Sequence, residues 1–153
     1  MINQFKILIL KLAFPILIAL KRIFNIYIEG SKAIVISSGE VLLIKHNYGH
    51  PNWTLPGGRI NRKESPEQAM VRELKEELGL NLFNQFKFLN KIEVFGYDRT
   101  GVFVFLVELD WHQREMLKID PIEIKEVQWF NLKELPVLSK TARQMLDCYL
   151  TRL

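Results

Sequence analysis

Three glutamates lie within one turn of a predicted helix near the middle of the chain. Glu73, Glu76 and Glu77 stand in the segment "RELKEEL". Steps of three and four residues place these side chains within an arc of about 100° on a helix, where like charges repel. Charged runs of this kind are usually solvated helix faces, and the alternative is that a divalent cation neutralises them. Carboxylate oxygens suit Mg²⁺ or Mn²⁺ and leave positions for water and phosphate oxygens.

The residues just before this helix favour the cation site. Gly57 and Gly58 allow the backbone to approach a ligand closely, and the Gly57 carbonyl is a candidate metal ligand. Arg59, Arg62 and Lys63 add positive charge at the same place, as an anionic substrate requires. The segment therefore combines candidate ligands for a cation with candidate contacts for an anion.

The segment from Gly58 to Leu80 resembles the Nudix box. Its fixed positions are filled by Gly58, Glu64, Arg72-Glu73-Leu74, Glu76-Glu77 and Gly79-Leu80. With average residue usage, such a match has a chance on the order of 10⁻⁹ per starting position. The preceding "LPGG" and the flanking predicted strands extend the resemblance over residues 28–135. The resemblance favours the cation site over the solvated-face interpretation.

The resemblance implies a fold, an activity and a metal. The fold would be the Nudix α/β/α sandwich on a mixed sheet, and the enzyme would hydrolyse a nucleoside diphosphate linked to another moiety. Mg²⁺, with Mn²⁺ as a substitute, would neutralise charge on the pyrophosphate during in-line attack by water. The implied metal ligands are Gly57, Glu73, Glu76 and Glu77, and the residues implied to support the site are Gly58, Glu64 and Arg72.

The general base is left open by the resemblance. Some family members use a glutamate of the box, here Glu76 or Glu77, and others use an acid before the last strand. In "PIEIKEVQWF" the second type would be Glu123 or Glu126. We prefer Glu123, because alternation along the strand that contains Trp129 makes Glu126 a solvated strand residue.

Substrate specificity is less well defined by the sequence. We expect Arg59 to contact the phosphates, and the aromatic candidates for stacking on a base are Tyr48, Trp53, Phe95, Tyr97 and Phe103. No proline lies between Pro66 and Pro121, which disfavours ADP-ribose by the family pattern. Nucleoside triphosphates, dinucleoside polyphosphates and nucleotide sugars stay open, with a preference for the first two. A nucleotide-binding module without turnover is the alternative, and nucleic acid is not favoured.

Composition places limits on the class of protein. The 153 residues suit one domain, which we expect over residues 26–153 after a helix in residues 1–25. The single cysteine, Cys148, favours a reducing compartment and therefore the cytoplasm. A net charge of +4 is mild and favours small anions or a membrane surface over nucleic acid.

The rest of the chain predicts alternating strands and helices. Two aliphatic runs around Ser38-Gly39-Glu40 predict a hairpin, and Ser65 and Gly79 delimit a helix over residues 66–78. "FKFLNKIEVFGYD" and "GVFVFLVELDW" predict a second strand pair, and "EVQWF" a short strand. A final helix is expected around Ser139 to Leu150.

The segment "ILILKLAFPILIAL", residues 7–20, is apolar except for Lys11 and has basic residues on both sides. A helix of this length would reach about 21 Å, less than the ~30 Å hydrocarbon core of a bilayer. Because the middle of the helix is apolar on every side, we expect it to be buried somewhere.

Three interpretations of this segment remain open. It packs on its own domain or in a homodimer interface, or residues 1–24 lie in the plane of a membrane, or it is a signal peptide. The last lacks support, because no small-residue cleavage site follows Leu20.

Overall fold

The computed structural model of the chain describes residues 2–23, 27–81, 86–94 and 100–152. These residues form four helices and six strands within the described ranges. In chain order they are α1 (Ile2–Ile23), β1 (Ile28–Ser37), β2 (Glu40–His46), β3 (Gly57–Arg59), α2 (Pro66–Leu78), β4 (Phe86–Val94), β5 (Thr100–Glu108), α3 (Trp111–Glu115), β6 (Ile124–Asn131) and α4 (Lys140–Leu150).

The strands form one mixed sheet in the order β4-β5-β1-β2-β6. β1 and β5 are parallel, whereas the other neighbours are antiparallel. β3 pairs with the first half of β1, where Gly58 lies opposite Ser31 and Gly57 opposite Lys32. The mixed sheet confirms the predicted fold class, and the pairing of β3 fixes the glycine pair beside β1.

Apolar side chains alternate along β1 and so supply both faces of the sheet. Ile34 and Ile36 pack in one core cluster, and Ala33 and Val35 pack in the other. The first cluster includes Ala142, Met145, Leu146 and Tyr149 of α4, and the second includes Met70, Leu74 and Leu78 of α2. Helices therefore cover both faces, which gives the α/β/α layers.

Helix α2 begins and ends where the sequence predicts. The Ser65 side chain accepts a hydrogen bond from the Gln68 N–H, and the Gln68 side chain accepts one from the Ser65 N–H. Gly79 adopts the left-handed conformation at the other end, where its N–H bonds to helix carbonyls. These caps satisfy backbone groups that the helix leaves free, so the register of the glutamates on α2 is fixed locally.

The hairpin β1–β2, the antiparallel pair β4–β5, strand β6 and helix α4 are also confirmed. The connection between β4 and β5 lies outside the described residues. Two elements were not predicted. β3 forms within a segment of structure-breaking residues because it pairs with β1, and the short helix α3 begins at a capping box of Asp110 and Gln113.

Helix α1 is longer than the apolar segment that predicted it, with 22 residues and Pro15 inside. In the described part of the chain, no helix is both long and apolar enough to cross a membrane. The ring of Phe14 lies 5.5 Å from that of Tyr48, in the loop after β2. Helix α1 therefore contacts the domain close to the predicted site.

Candidate active site

Glu77 is the most enclosed acid of the predicted cluster. Helix α2 directs it toward the sheet, its side chain is 2% exposed, and its Oε2 accepts a hydrogen bond of 2.7 Å from the Gly57 N–H. Burial raises the pKa of Glu77 to about 7, against the lowering effects of Lys32 and the Gly57 N–H. A carboxylate in this position gains from any additional positive charge.

The glycine pair brings backbone and carboxylates together. Gly57 has φ near 116°, and a Cβ there would lie 2.9 Å from the Lys32 Cα. A Cβ on Gly58 would collide with the Glu73 carboxylate, with Oε2 at 2.7 Å. Only glycine therefore allows the Glu73 carboxylate to rest against this backbone.

Arg72 ties the loop before α2 to the acids. Its guanidinium donates two hydrogen bonds to Glu64, at 2.7 and 3.0 Å, and a third to the Arg59 carbonyl at 2.9 Å. The Nη1 atom of Arg72 donates to Glu73 Oε1 at 2.8 Å and to Glu76 Oε2 at 3.1 Å. These bonds raise the pKa of Arg72 and lower that of Glu64. The glutamates are thus held at defined positions, with Glu76 the most exposed of the three at 57%.

Glu123 and Glu126 have different surroundings. Glu123 lines the same cleft as the three box glutamates. Its pKa is raised by burial and then by the charge of Glu73. Glu126 instead pairs with Lys45 at 3.0 Å in the β2–β6 ladder, and that hydrogen bond lowers its pKa. Of the two, only Glu123 faces the cleft.

Lys32 and His46 were missed by the sequence analysis. The Lys32 ammonium donates to the carbonyl oxygens of Leu55, at 3.0 Å, and Gly57, and burial lowers its pKa. His46 Nε2 lies 3.9 Å from Glu77 Oε1, and burial, followed by the charge of Lys32, lowers the pKa of His46 to about 4. Burial of a lysine inside an aliphatic strand costs free energy unless the ammonium finds polar partners. The position of Lys32 within such a strand was therefore the signal in the sequence that could have identified it.

Only some of the residues predicted to bind substrate line the cleft. Tyr48 and Arg59 line the cleft, which has a volume of about 480 Å³ and also contains Phe14 of α1. Burial raises the pKa of Tyr48 to about 12. Trp53 is buried in the core with its ring edge-on to Phe130 at 4.9 Å, so the structure does not bring it to the cleft. Phe95 and Tyr97 lie outside the described residues, and Phe103 packs beside Lys91, whose Nζ lies 4.8 Å from the ring centre.

The donor atoms of this cleft fit a hard divalent cation. Four carboxylates, from Glu73, Glu76, Glu77 and Glu123, share it with the Gly57 carbonyl. All are oxygen donors of the type that Mg²⁺ and Mn²⁺ prefer. In the described ranges, no three acidic, histidine or cysteine side chains are already gathered as a metal cluster. Arg72 and the Lys32 ammonium are the counter-charges at these atoms.

A family model described as NUDIX domain matches residues 29–150. The chain belongs to the NUDIX family. A Burkholderia pseudomallei MutT NUDIX hydrolase is 26% identical, with a TM-score of 0.71, over 80% of this chain and 97% of that one.

Two named relatives match over shorter segments. The Bacillus subtilis (strain 168) protein named "Putative 8-oxo-dGTP diphosphatase" is 42% identical over 55 residues, which are 36% of this chain and 37% of that protein. The RNA pyrophosphohydrolase of Yersinia enterocolitica is 58% identical over 43 residues, which are 28% of this chain and 24% of that protein. The chain thus spans little more than a third of the first relative's length and about a quarter of the second's.

Proposed function

We propose that this NUDIX protein is a divalent-cation-dependent hydrolase of phosphoric anhydride bonds. Its substrate class is a nucleoside diphosphate linked to another moiety. The observation that carries the proposal is the arrangement in one cleft of Glu73, Glu76, Glu77 and Glu123 around the Gly57-Gly58 backbone. Carboxylates that are crowded and partly buried in this way gain most from binding a cation.

The proposed roles follow from the surroundings of each residue. Glu73, Glu76 and Glu77 would hold Mg²⁺ or Mn²⁺ with the Gly57 carbonyl, and Gly58, Glu64 and Arg72 would support that arrangement. Such a cation, when bound, would neutralise the charge that develops on the diphosphate in the transition state.

Glu123 is the proposed proton acceptor. It lies in the cleft without the lysine partner that Glu126 has, and its raised pKa makes its carboxylate a better base. In this role it accepts the proton of the attacking water. Glu76 and Glu77 are less suited, because they are assigned to hold the cation.

Nucleoside triphosphates and dinucleoside polyphosphates are the preferred substrates within this class. The Bacillus subtilis relative is named for a nucleoside triphosphate, 8-oxo-dGTP, and supports the first choice. Tyr48 offers a ring at the edge of the cleft for stacking, and Arg59 offers a cation for the phosphates. The half-buried Cys148, the one cysteine of the chain, supports the cytoplasm as location.

A substrate panel tests this proposal. The purified full chain is incubated with Mg²⁺ or Mn²⁺ and nucleoside triphosphates, dinucleoside polyphosphates, nucleotide sugars and a 5′-triphosphorylated oligoribonucleotide, and products are identified by mass spectrometry. Cation-dependent cleavage within the preferred classes supports it. Cleavage of a compound from another class would support the hydrolase activity but contradict the proposed substrate preference. Binding of these compounds without any turnover would favour the nucleotide-binding module instead.

A further inference from the structure

One side of helix α1 exposes a continuous set of large apolar side chains. They are Phe5, Leu8, Ile9, Leu12, Ile16, Leu17, Leu20 and Ile23, each between 44% and 73% exposed. At 100° per residue, all except Leu17 fall within an arc of about 120°, which we call the outer stripe. In the rest of the described chain, five large apolar side chains are comparably exposed, and they are scattered over several elements. An apolar set of this size on one helix marks an interaction surface.

The opposite side of α1 faces the catalytic domain. Phe14 packs on Tyr48, and a Cβ on Gly49 would lie 3.3 Å from the Phe14 ring. Lys11 and Ile18 line a groove of about 870 Å³ between the helix and the loop after β2. An ordinary surface helix turns its apolar side to its own domain, and α1 turns its outer stripe away.

The charge of α1 indicates what covers this stripe. The helix sequence contains four basic residues, Lys6, Lys11, Lys21 and Arg22, and no acidic residue between Ile2 and Ile23. Apolar side chains on one face, with exposed basic residues such as Lys6 and Lys11 outside that face, are the features of a helix that lies in the plane of an anionic membrane. We propose that α1 docks the protein on an anionic lipid bilayer through its outer stripe, without crossing it.

A second copy of the chain is a poorer occupant. Two α1 helices paired through their outer stripes would leave a basic residue that flanks the stripe, Lys6, without an acidic partner on either helix. An anionic bilayer provides both an apolar interior and negative headgroups. Charge complementarity therefore selects the membrane.

Docking in this way has a consequence for the catalytic cleft. Phe14 belongs to the helix that contacts lipid and also lines the cleft that holds Glu77. Because a helix with its side chains is about 10–12 Å across, the cleft would lie near the bilayer surface. Substrates held at that surface, or released from it, would reach the site directly.

Co-sedimentation of the full chain with vesicles tests the proposal. We expect binding to phosphatidylcholine vesicles that contain phosphatidylglycerol, weaker binding to phosphatidylcholine alone, and weakening by salt. The variant Leu12→Glu/Ile16→Glu should bind anionic vesicles at least about tenfold more weakly, since insertion of either side chain contributes more than that factor. The control Met116→Glu/Val137→Glu adds the same charge at two exposed apolar side chains away from α1 and should bind as the wild type does.

Several results would overturn the proposal. They are a wild-type protein that does not bind anionic vesicles, a stripe variant that binds as the wild type does, or a control that loses binding equally. A dimer that the stripe substitutions dissociate, in a protein without vesicle binding, would assign the stripe to a second copy. Thermal unfolding confirms that each variant is folded, and salt dependence of wild-type binding supplies evidence independent of the variants.

The proposed hydrolase activity is measured separately on a soluble nucleotide. Neither Leu12 nor Ile16 lines the cleft, so the stripe variant should keep that activity whether or not it binds vesicles. Loss of vesicle binding with retained hydrolysis therefore distinguishes the two proposals.

Discussion

Both burial and neighbouring charges determine the protonation of Glu77. Its carboxylate is almost fully enclosed, accepts the Gly57 N–H and lies beside Lys32 and Glu73 in the electrostatic field of the cleft. Desolvation outweighs the attraction of Lys32, because the pKa of Glu77 stays raised. The ionised Glu77 carboxylate is therefore buried at some cost to the stability of the protein.

This cost predicts a pH dependence of stability. Glu77 binds its proton more tightly in the folded state, with a pKa of about 7 against 4.5 for the free side chain, so its contribution to the free energy of unfolding falls as pH rises through that window. His46, with a pKa of about 4 in the folded state against 6.5 for the free side chain, makes an opposing contribution as pH rises from 4 to 6.5. The loss of the Glu77 contribution is on the order of 3 kcal/mol and is complete above about pH 7, and it is measured as the difference between the wild type and a Glu77 variant. Denaturant titrations with EDTA from pH 4 to 8 measure it.

In the same titrations Glu77→Gln should lack this contribution, so its free energy of unfolding should rise relative to that of the wild type as pH increases from 4.5 to 7. Glu76→Gln is the matched control, because the Glu76 side chain is more than half exposed, and it should leave the dependence in place. Parallel curves for the wild type and Glu77→Gln would show that another group is responsible.

Glu123 and Glu126 provide a matched pair for the general base. We predict that Glu123→Gln lowers kcat/KM by about 10²–10⁴ and flattens its pH dependence, since the proton acceptor is lost. Glu126→Gln should have little effect, because its carboxylate is paired with Lys45 outside the cleft. Steady-state kinetics across pH measure both. A Glu123→Gln enzyme with wild-type kcat/KM at every pH would remove this residue from the mechanism.

At the scale of elements, the contact of β3 with α2 determines where the acids lie. Gly57 and Gly58 belong to a strand of three residues that exists because β1 pairs with it. The Glu73 carboxylate fills the space that a Cβ of Gly58 would need. The strand and the helix thus set the geometry of the site together.

Alanine substitutions at the two glycines should have different effects. In Gly58→Ala the new Cβ meets the movable Glu73 side chain, so we expect a folded protein whose hydrolysis falls about 100-fold, the cost of displacing a catalytic group by about 1 Å. In Gly57→Ala it meets backbone at a positive φ, which should cost at least about 1–3 kcal/mol of stability, since the collision adds to the strain of that conformation. Thermal unfolding and hydrolysis rates of both variants test this. Equal losses of stability would contradict it.

Local sequence signals predicted α2 well and β3 not at all. The Ser65 and Gly79 caps act within a few residues of themselves, so the sequence specifies the helix and the spacing of its glutamates. β3 depends on pairing across the chain with β1, and the same is true of the position of Lys32. Trp53 was proposed for substrate binding on its residue type, but its contact with Phe130 depends on the sheet register.

At the scale of the whole molecule, one sheet joins two apolar layers. Leu74 of α2 lies fully buried on one face, and Leu146 of α4 lies fully buried on the other. Because β1 contributes to both layers, we expect the domain to unfold as one cooperative unit.

Leucine-to-alanine substitutions test that expectation. Leu74→Ala and Leu146→Ala should each lower the free energy of unfolding by about 2–5 kcal/mol, the range for such a cavity in a packed core. Circular dichroism and tryptophan fluorescence should report the same shifted midpoint in each variant. Two transitions, with only one moved by each substitution, would show that the layers unfold independently.

The layered fold was predictable from the whole sequence, because alternation of apolar residues recurs in several strands and the box motif is itself a local signal. The position of α1 was not predictable. Its apolar residues indicated burial, whereas the structure exposes the outer stripe and brings Phe14 to the cleft. Because the middle of the helix is apolar on every side, its local pattern does not specify which side faces its own domain.

The most direct measurement of the central claim is the rate of phosphoric anhydride hydrolysis by the full chain and by Glu77→Gln, with Mg²⁺ and with EDTA. We predict turnover by the wild type with Mg²⁺, none with EDTA, and a loss of at least about 100-fold in Glu77→Gln, above the range for changes that only orient a metal ligand. Turnover that is unaffected by EDTA, or equal in the two proteins, would contradict a cation site built on these carboxylates.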